Sequence, residues 1–408
     1  MKKSPIVIVS SYPPRLCGIA TFAEEAREFI QKANPDREVL IISHLDGEGP
    51  GVFPLIDLQR WDWWKVVAQK IQKLKPYVVH LQHEYGLYEY YDEDRIGDFN
   101  DGFLDLLTAI SNFPLVVEPH TIHGRLRDSE AHFIKKLCER SDLVFFKCHY
   151  QKWRLEWTFP GYGWKVPRNI MIIPHGARSD RRWKIDEIST LRTELGLEQV
   201  GLSNHIVGMV GWIQSNKRWD ILLNMWSGIA EEIKQKSGQK WDLLAAGMVR
   251  DPHHYADYER WKLEMLDLEK KGVARYYEFI PRGDVYYKVM AVCDFIVLPS
   301  IDETQSGTLA RIIALNKPYI TTAPMEGLTA QTLESEGGLL FSTRELLRQK
   351  VIQLALDEPL RMKLGNNLAQ YLDKVVAWEV VAKQYNQSYQ MANRAKKSGA
   401  PVVLDFEF

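Results

Sequence analysis

The sequence predicts an α/β protein made of two Rossmann-like domains, each with a doubly wound parallel sheet. Short apolar runs rich in β-branched residues alternate with longer helical stretches, which is the pattern of a parallel sheet covered by helices on both faces. This alternation stops at a charged stretch, Arg178 to Glu187, and then starts again. The chain has 408 residues, 45% of them hydrophobic, which is enough to bury two cores.

The first domain is predicted to span residues 1–185. Helical segments such as Ala20–Lys32 and Trp64–Leu74 separate its strands. Pro174-His175-Gly176 leads into the charged connection and is interpreted as a hinge. The predicted strands are Ile6–Val9, Val39–Ile42, Val78–Leu81, Leu115–Val117, Leu143–Phe146 and Ile170–Ile173.

The second domain is predicted to span residues 200–375, and a last helix to follow at 376–395. Trp378, Val381, Ala382 and Tyr385 recur at helical spacing, which gives this helix one apolar face. The predicted strands are His205–Val210, Asp242–Ala246, Tyr276–Phe279, Phe295–Leu298, Tyr319–Thr321 and Leu339–Leu340.

Composition excludes several classes of protein. The formal net charge of -1 argues against nucleic acid as a partner, because phosphate binding needs a basic excess. The first apolar run, Ile6–Val9, is too short for a signal peptide, and no apolar stretch approaches the ~20 residues that span a bilayer. The four cysteines lie far apart, so neither a zinc site nor a disulfide framework is indicated. We therefore expect a cytoplasmic protein.

Polar loops follow the strands at one edge of each predicted sheet. Ligands of doubly wound sheets bind at the carboxyl ends of the strands, so these loops predict a cleft between the two domains. The alternative is that the loops are polar only because they lie on the surface. The loops are Ser10–Pro14, Cys17–Thr21, His83–Tyr85, His120–His123, Gly211–Lys217 and Asp302–Gly307.

The stretch from Leu298 to Pro318 is the most informative part of the chain. A predicted buried strand, Phe295–Leu298, leads into a polar loop, Pro299–Ser306. Gly307 then opens a segment of helical character. The first-turn amides of a helix have no partners within the helix, so a polar loop in front of them predicts an anion site.

This layout resembles the donor-sugar and diphosphate loop of family-four retaining nucleotide-sugar glycosyltransferases, which have the GT-B fold of two facing Rossmann-like domains. The resemblance covers residues 4–395, and several short motifs occur in the family's order. It implies an enzyme of carbohydrate biosynthesis that moves a hexose from a nucleoside diphosphate sugar to a hydroxyl of a glycan or lipid-linked acceptor. It also implies that no metal and no cofactor beyond the donor are needed, and that the last helix crosses back to the first domain.

In the first domain, the resemblance assigns candidate residues at three strand ends. Gly18 matches a glycine loop near the diphosphate or acceptor, although an ordinary tight turn is the alternative. His83 and Glu84 match a block found in part of the family and are candidates for acceptor or sugar contact. His120 matches the catalytic-site histidine that touches the donor sugar, and His123 is a weaker candidate. A lone histidine at a sheet end is otherwise structural.

In the second domain, the segment from Gly211 to Lys217 resembles the family's Gly-x-x-x-x-x-Lys motif. Lys217 would neutralise the leaving diphosphate and counts as catalytic, with a surface lysine as the alternative. Trp212 stands where many members have an arginine, and Arg218 could compensate for it.

The stretch from Leu298 to Pro318 carries several matches and one departure. Glu303 takes the place of the first of the family's two glutamates, where it would accept hydrogen bonds from donor-sugar hydroxyls as a catalytic residue. Arg311 takes the place of the second, and because a guanidinium only donates, it cannot accept one from a ribose hydroxyl. Arg311 could bind a phosphate instead, or lie on the helix surface without a ligand. The phosphate-facing turn of the family is matched by Gln305, Ser306 and Gly307.

Two further features have an ordinary structural interpretation as well as a functional one. The acidic run Asp92–Asp94 resembles a metal-binding Asp-x-Asp, but we interpret it as a solvated charge run. Trp153, Trp157 and Trp164 lie among basic residues and could stack on sugars, meet the inner face of a membrane, or pack in the core.

Two alternatives to a glycosyltransferase follow from the same residues. One is a catalytically silent GT-B protein that binds glycans or supports a complex, and Arg311 is its main support. The other is a dinucleotide-dependent oxidoreductase, which is disfavoured because no Gly-x-Gly-x-x-Gly follows the first strand.

Overall fold

The computed structural model describes residues 3–89, 100–183, 185–197, 205–249, 252–301, 306–323 and 326–404. The chain forms two compact units, one of Met1–Gly176 with Trp378–Phe408 and one of Ala177–Ala377. Each unit holds one sheet, and every strand pairing among the described residues is parallel. The predicted fold class, two Rossmann-like doubly wound parallel-sheet domains, is confirmed.

The first sheet contains the six predicted strands and one more. Its strands are β1 (Lys3–Val9), β2 (Arg37–His44), β3 (Val52–Ile56), β4 (Val78–His83), β5 (Leu115–Pro119), β6 (Leu143–Phe146) and β7 (Ile170–Ile172). Their order is β3-β2-β1-β4-β5-β6-β7, so the winding reverses between β1 and β4. That reversal is the point where doubly wound sheets bind ligands.

Helices cover both faces of the first sheet. They are α1 (Gly18–Ala33), α2 (Trp63–Leu74), α3 (Asp101–Ala109), α4 (Asp128–Glu139), α5 (His149–Thr158) and the last helix of the chain, α14 (Trp378–Ser398). Ile6 and Ile8 of β1 face a core shared with α1 and α14, whereas Val7 and Val9 face a core shared with α2 to α5. Because both faces are covered, these β-branched residues are all buried.

The second sheet contains the six predicted strands. They are β8 (His205–Ile213), β9 (Trp241–Val249), β10 (Ala274–Tyr277), β11 (Phe295–Leu298), β12 (Tyr319–Thr322) and β13 (Gly338–Phe341), in the order β10-β9-β8-β11-β12-β13. The winding reverses between β8 and β11. The loops that follow these two strands carry the predicted lysine and the predicted anion site.

The helices of the second unit pack against this sheet. They are α6 (Ile185–Glu194), α7 (Trp219–Ser237), α8 (Tyr255–Lys270), α9 (Gly283–Ala291), α10 (Gly307–Ala314), α11 (Glu326–Ser335), α12 (Arg344–Leu356) and α13 (Glu358–Tyr371). The longest of them, α7, buries Leu222, Trp226 and Ile233 at helical spacing. It ends at Gly238, whose φ of +72° suits a glycine at a helix C-terminus. Among the helices in the described ranges, none is both long and apolar enough to cross a membrane.

Candidate active site

His120 lies directly after β5 at the carboxyl edge of the first sheet. Its backbone N–H donates to the His83 carbonyl at 2.8 Å, which ties the ends of β5 and β4 together. The imidazole is 4% exposed and stands edge-on to Phe22 of α1, with 4.8 Å between ring centroids. Its Nε2 has no hydrogen-bond partner among the residues described. His120 therefore presents one uncommitted ring nitrogen beside the first turns of α1.

The surroundings keep this imidazole neutral. Burial places the pKa of His120 well below its ordinary value, and the ammonium of Lys147 lowers it further. The carboxylate of Glu118 acts in the opposite direction without reversing the shift. A neutral imidazole can either donate or accept a hydrogen bond at one ring nitrogen, which is what contact with a sugar hydroxyl requires.

The loops after β4 and β5 are joined by their side chains. Glu84 accepts hydrogen bonds from the Thr121 hydroxyl at 2.6 Å and from the Tyr85 amide at 3.0 Å. His123 lies parallel to the Tyr85 ring, 5.5 Å between centroids, with its Nδ1 2.7 Å from Glu130 Oε1. Burial raises the pKa of Glu84, and its two hydrogen bonds oppose that rise. Glu84 and His123 therefore lie together on one polar surface.

His83 lies apart from that surface, inside the core. Its Nε2 is 3.0 Å from Asn100 Oδ1, and its ring contacts Tyr85, Phe103 and Phe133. The side chain has no exposed surface, and burial lowers its pKa to about 4. This is the environment of a core histidine, and contact with an acceptor would require these rings to move.

Gly18 is the first residue of α1. Cys17 precedes it in extended conformation, and the first bond within the helix runs from the Thr21 amide to the Cys17 carbonyl at 3.3 Å. Within the described part of the chain, the amides before Thr21 have no partner of this kind, and a Cβ at Gly18 would meet nothing within 4 Å. The helix start is thus open to a ligand, as the glycine-loop interpretation requires.

Lys217 and Arg218 follow β8 in the second unit. Lys217 ends a short 3₁₀ turn and is half-buried. Arg218 has a φ of +49° and holds Asp220 with both arms of its guanidinium, at 3.0 Å each. This pairing raises the pKa of Arg218 and neutralises much of its charge. Part of the charge of Arg218 is therefore committed to Asp220, and Lys217 is the residue that the motif assigns to the diphosphate.

The loops after β8 and β11 meet at the switch point of the second sheet. The Ile301 amide donates to the Asn216 carbonyl at 2.7 Å. Gly211, with a φ of +140°, lies so close to α9 and α10 that a Cβ there would be 2.9 Å from the Tyr286 hydroxyl and 3.4 Å from Thr308 Oγ1. A side chain at Gly211 would also be strained by this φ. The end of β8, which leads into the loop that carries Lys217, therefore lies beside the start of α10.

The start of α10 is a capped helix N-terminus. Ser306 is the N-cap, and its hydroxyl accepts a hydrogen bond from the Leu309 amide at 3.3 Å. Gly307 is the first helical residue, so the predicted helix start is in place. Glu303 and Gln305 lie outside the described residues, and their roles remain predictions.

Arg311 is held inside the second unit rather than on its surface. It is 9% exposed, and its Nη1 donates to the Gly307 carbonyl at 2.7 Å, one turn back along α10. The guanidinium carbon lies 4.9 Å and 5.6 Å from the ring centroids of Tyr286 and Tyr287 on α9. The hydroxyl of Tyr286 is 2.7 Å from Thr308 Oγ1. The side chain thus places a positive charge beside the first turn of α10.

Sequence reasoning missed a buried polar cluster next to His120. Glu118, Lys147 and His80 lie in or directly after apolar strands, and all three are buried. Tyr385 was assigned only to the apolar face of the last helix and Tyr389 was not considered, yet both hydroxyls reach this cluster. A carboxylate at the end of an apolar strand needs buried partners, so Glu118 was the signal that could have revealed the cluster. Within the described part of the chain, no three His, Cys, Asp or Glu side chains gather closely enough to hold a metal ion.

Residues 199–371 match the model of the family described as glycosyl transferases group 1. This segment covers most of the second unit and includes Lys217, the start of α10 and Arg311. The second unit is therefore similar to this family, and the two parallel sheets together with the solved structures below show that the chain has the GT-B fold. No relative was found among curated protein sequences.

Solved structures share the fold over nearly the whole chain. HepE from Anabaena, solved in complex with UDP, is 15% identical, with a TM-score of 0.69, and 95% of this chain covers 99% of that one. Sucrose-phosphate synthase from Thermosynechococcus elongatus is also 15% identical, with a TM-score of 0.69 and coverages of 96% and 100%. WaaG, a glycosyltransferase involved in lipopolysaccharide biosynthesis, is 13% identical, with a TM-score of 0.64 and coverages of 94% and 99%.

Proposed function

We propose that the chain is a retaining hexosyltransferase that uses a nucleoside diphosphate sugar as donor. The observation that carries this proposal is the start of α10, where Ser306 and Gly307 present a capped helix N-terminus next to the loop of Lys217. A departing diphosphate needs both hydrogen-bond donors and positive charge, and these two loops supply them. The second unit is also the part that matches the family.

His120 would orient the donor sugar from the first unit. It is neutral, and its Nε2 is uncommitted among the described residues, so it can meet a hydroxyl without an internal competitor. Glu303 would accept hydrogen bonds from other sugar hydroxyls. Transfer on the same face of the sugar needs no protein nucleophile, and in this scheme no metal or further cofactor takes part.

Arg311 would replace the usual ribose contact by a contact with phosphate. Its charge lies beside the first turn of α10, and it cannot accept a hydrogen bond from a ribose hydroxyl. The donor would then be held mainly through its diphosphate. UDP sugars are the first donors to test, because HepE was solved with UDP and with UDP-glucose.

The acceptor would be a hydroxyl of a glycan or of a lipid-linked sugar at the inner face of a membrane. Helix α5 supports the second choice, because Trp153 and Trp157 lie one turn apart and are 42% and 78% exposed. Arg154 lies 6.0 Å from the centroid of the Trp157 ring. Exposed tryptophans beside basic residues are typical of proteins that lie on a membrane surface.

Donor binding and donor turnover test this function. We expect thermal unfolding of the wild-type chain to shift upward with at least one of a panel of UDP, GDP and ADP sugars, without added metal. The variant Lys217→Gln should lose most of that shift, whereas Lys236→Gln should keep it, because Lys236 is an exposed lysine paired with Glu232 on α7. NMR of the product should show the anomeric configuration of the donor.

The alternative is a catalytically silent GT-B protein that binds glycans or supports a complex. Donor hydrolysis in the same samples separates it from the enzyme: a thermal shift without any hydrolysis or transfer would favour the silent protein. No thermal shift with any donor would refute the proposed enzyme.

A further inference from the structure

A buried ion pair lies next to His120 in the first unit. Lys147, directly after β6, pairs with Glu118 on β5, and neither side chain has exposed surface. Burying a carboxylate and an ammonium carries a large desolvation penalty, and well-packed apolar residues are often as stable. A pair of this kind therefore points to a role other than stability.

Glu118 is held from three elements of the first unit. Lys147 and the Tyr385 hydroxyl of α14 donate to Oε1, the second at 2.5 Å. His80 of β4 lies 3.0 Å from Oε2 through its Nε2, and the Tyr389 hydroxyl lies 2.8 Å from its Nδ1. Burial opposes the ionisation of Glu118, but Lys147 and then His80 outweigh it, so the pKa of Glu118 lies below its usual range. The carboxylate is thus charged and fixed in place.

His120 shares the environment of this pair. The ring of Phe22 contacts both groups: its centroid is 4.5 Å from Lys147 Nζ and 4.8 Å from the centroid of His120. Lys147 disfavours a positive charge on the imidazole and Glu118 favours one. The charged and titratable groups that face His120 from the surrounding elements are Lys147, Glu118, His175 and His80.

We propose that the Glu118–Lys147 pair positions His120 for the transfer reaction. In the buried site Lys147 favours the neutral imidazole and Glu118 partly offsets that effect, Nε2 meets a sugar hydroxyl, and Tyr385 ties the pair to the last helix. Glu118 and Lys147 are positioning residues, because both are enclosed and act through His120. The inference rests on the function proposed for His120 above.

Titration of His120 by NMR tests the pair without any substrate. The full chain carries carbon-13-labelled histidine, and the variant His120→Gln assigns the signal. Lys147→Met removes the cation that disfavours imidazolium, so the pKa of His120 should rise. Glu118→Gln removes the favourable carboxylate, so the pKa should fall.

The double variant Lys147→Met/Glu118→Gln serves as the control for folding, because it leaves no unpaired buried charge. Lys147 acts more strongly on His120 than Glu118 does, so the double variant should titrate above the wild type but below Lys147→Met. If both single variants fail to fold, an unchanged titration in the double variant would overturn the proposal. Shifts of the same sign in two folded single variants would overturn it as well.

The pH profile of kcat/KM for the donor tests the link to the reaction. In Lys147→Met the acid limb should move to higher pH by the same increment as the NMR titration. At a fixed pH on that limb, kcat/KM should fall by about tenfold for each pH unit of this shift. If the pKa of His120 shifts but the acid limb does not, the pair has no role in the transfer reaction. A wild-type chain that binds and transfers no sugar would overturn the proposed function itself, and the titration would show whether the electrostatic coupling still holds.

Discussion

Arg311 is the residue at which this chain departs most clearly from the family it resembles. The resemblance implies that a ribose contact of the usual kind is missing there, but the sequence did not show where the guanidinium lies. The two tyrosines that hold it come from α9, some two dozen positions earlier in the chain, and no local pattern predicts that contact. The structure makes Arg311 a fixed, mostly buried cation, which excludes the interpretation as a helix-surface residue.

The variant Arg311→Gln should weaken binding of UDP but leave binding of uridine nearly unchanged. Hydrogen bonds to charged groups contribute about 1.5–3 kcal/mol, so the Kd for UDP should rise by about tenfold or more. Isothermal titration calorimetry with both ligands measures this difference. Arg311→Lys keeps the charge but loses the planar fork, so its Kd for UDP should lie between those of the wild type and Arg311→Gln. Equal losses for UDP and uridine would instead indicate that Arg311 only supports the fold.

At the level of elements, the sequence predicted best where local chemistry decides the structure. Ser306-Gly307 is a recognisable helix start, and α10 begins there. β3 was missed because Pro54 interrupts a short run, and a proline is tolerated mainly on an edge strand, which is where β3 lies. The buried polar cluster around Glu118 was missed for a different reason, since its partners come from β4, the residue after β6 and α14, and only the fold brings them together.

The N-cap of α10 gives a matched pair of variants. Ser306→Ala should cost about 1 kcal/mol of stability and should also weaken UDP binding by roughly fivefold, because the loosened first turn is the proposed diphosphate site. Thr343→Ala removes the equivalent cap of α12, where the hydroxyl accepts from the Leu346 amide at 3.2 Å. It should cost a similar amount of stability and leave the Kd for UDP unchanged. Urea unfolding and calorimetry measure the two effects, and equal Kd changes in both variants would contradict the assignment of the site to α10.

At the level of the whole molecule, the net charge and the exposed aromatic surface differ in what they predict for membrane binding. The net charge of -1 gives the chain no general attraction to an anionic membrane, so any membrane binding must come from a local surface. The exposed tryptophans of α5 are such a surface, and Lys165 and Arg168 are also exposed a short distance along the chain. The sequence suggested this group but could not separate it from core packing. Trp164 packs partly against the core of the first unit, whereas Trp153 and Trp157 are exposed.

Flotation with lipid vesicles tests whether α5 is a membrane-binding face. The wild-type chain should float with vesicles that contain anionic lipid and much less with neutral vesicles, since basic side chains flank the tryptophans. Trp153→Ser/Trp157→Ser should lower the partition coefficient on the order of tenfold, because two large apolar side chains no longer enter the interface. Trp61→Ser is the control, since Trp61 is 53% exposed and lies before α2, outside the α5 surface. Equal flotation of the double variant and the wild type would contradict a role for α5, and the acceptor would then be sought among glycans in solution.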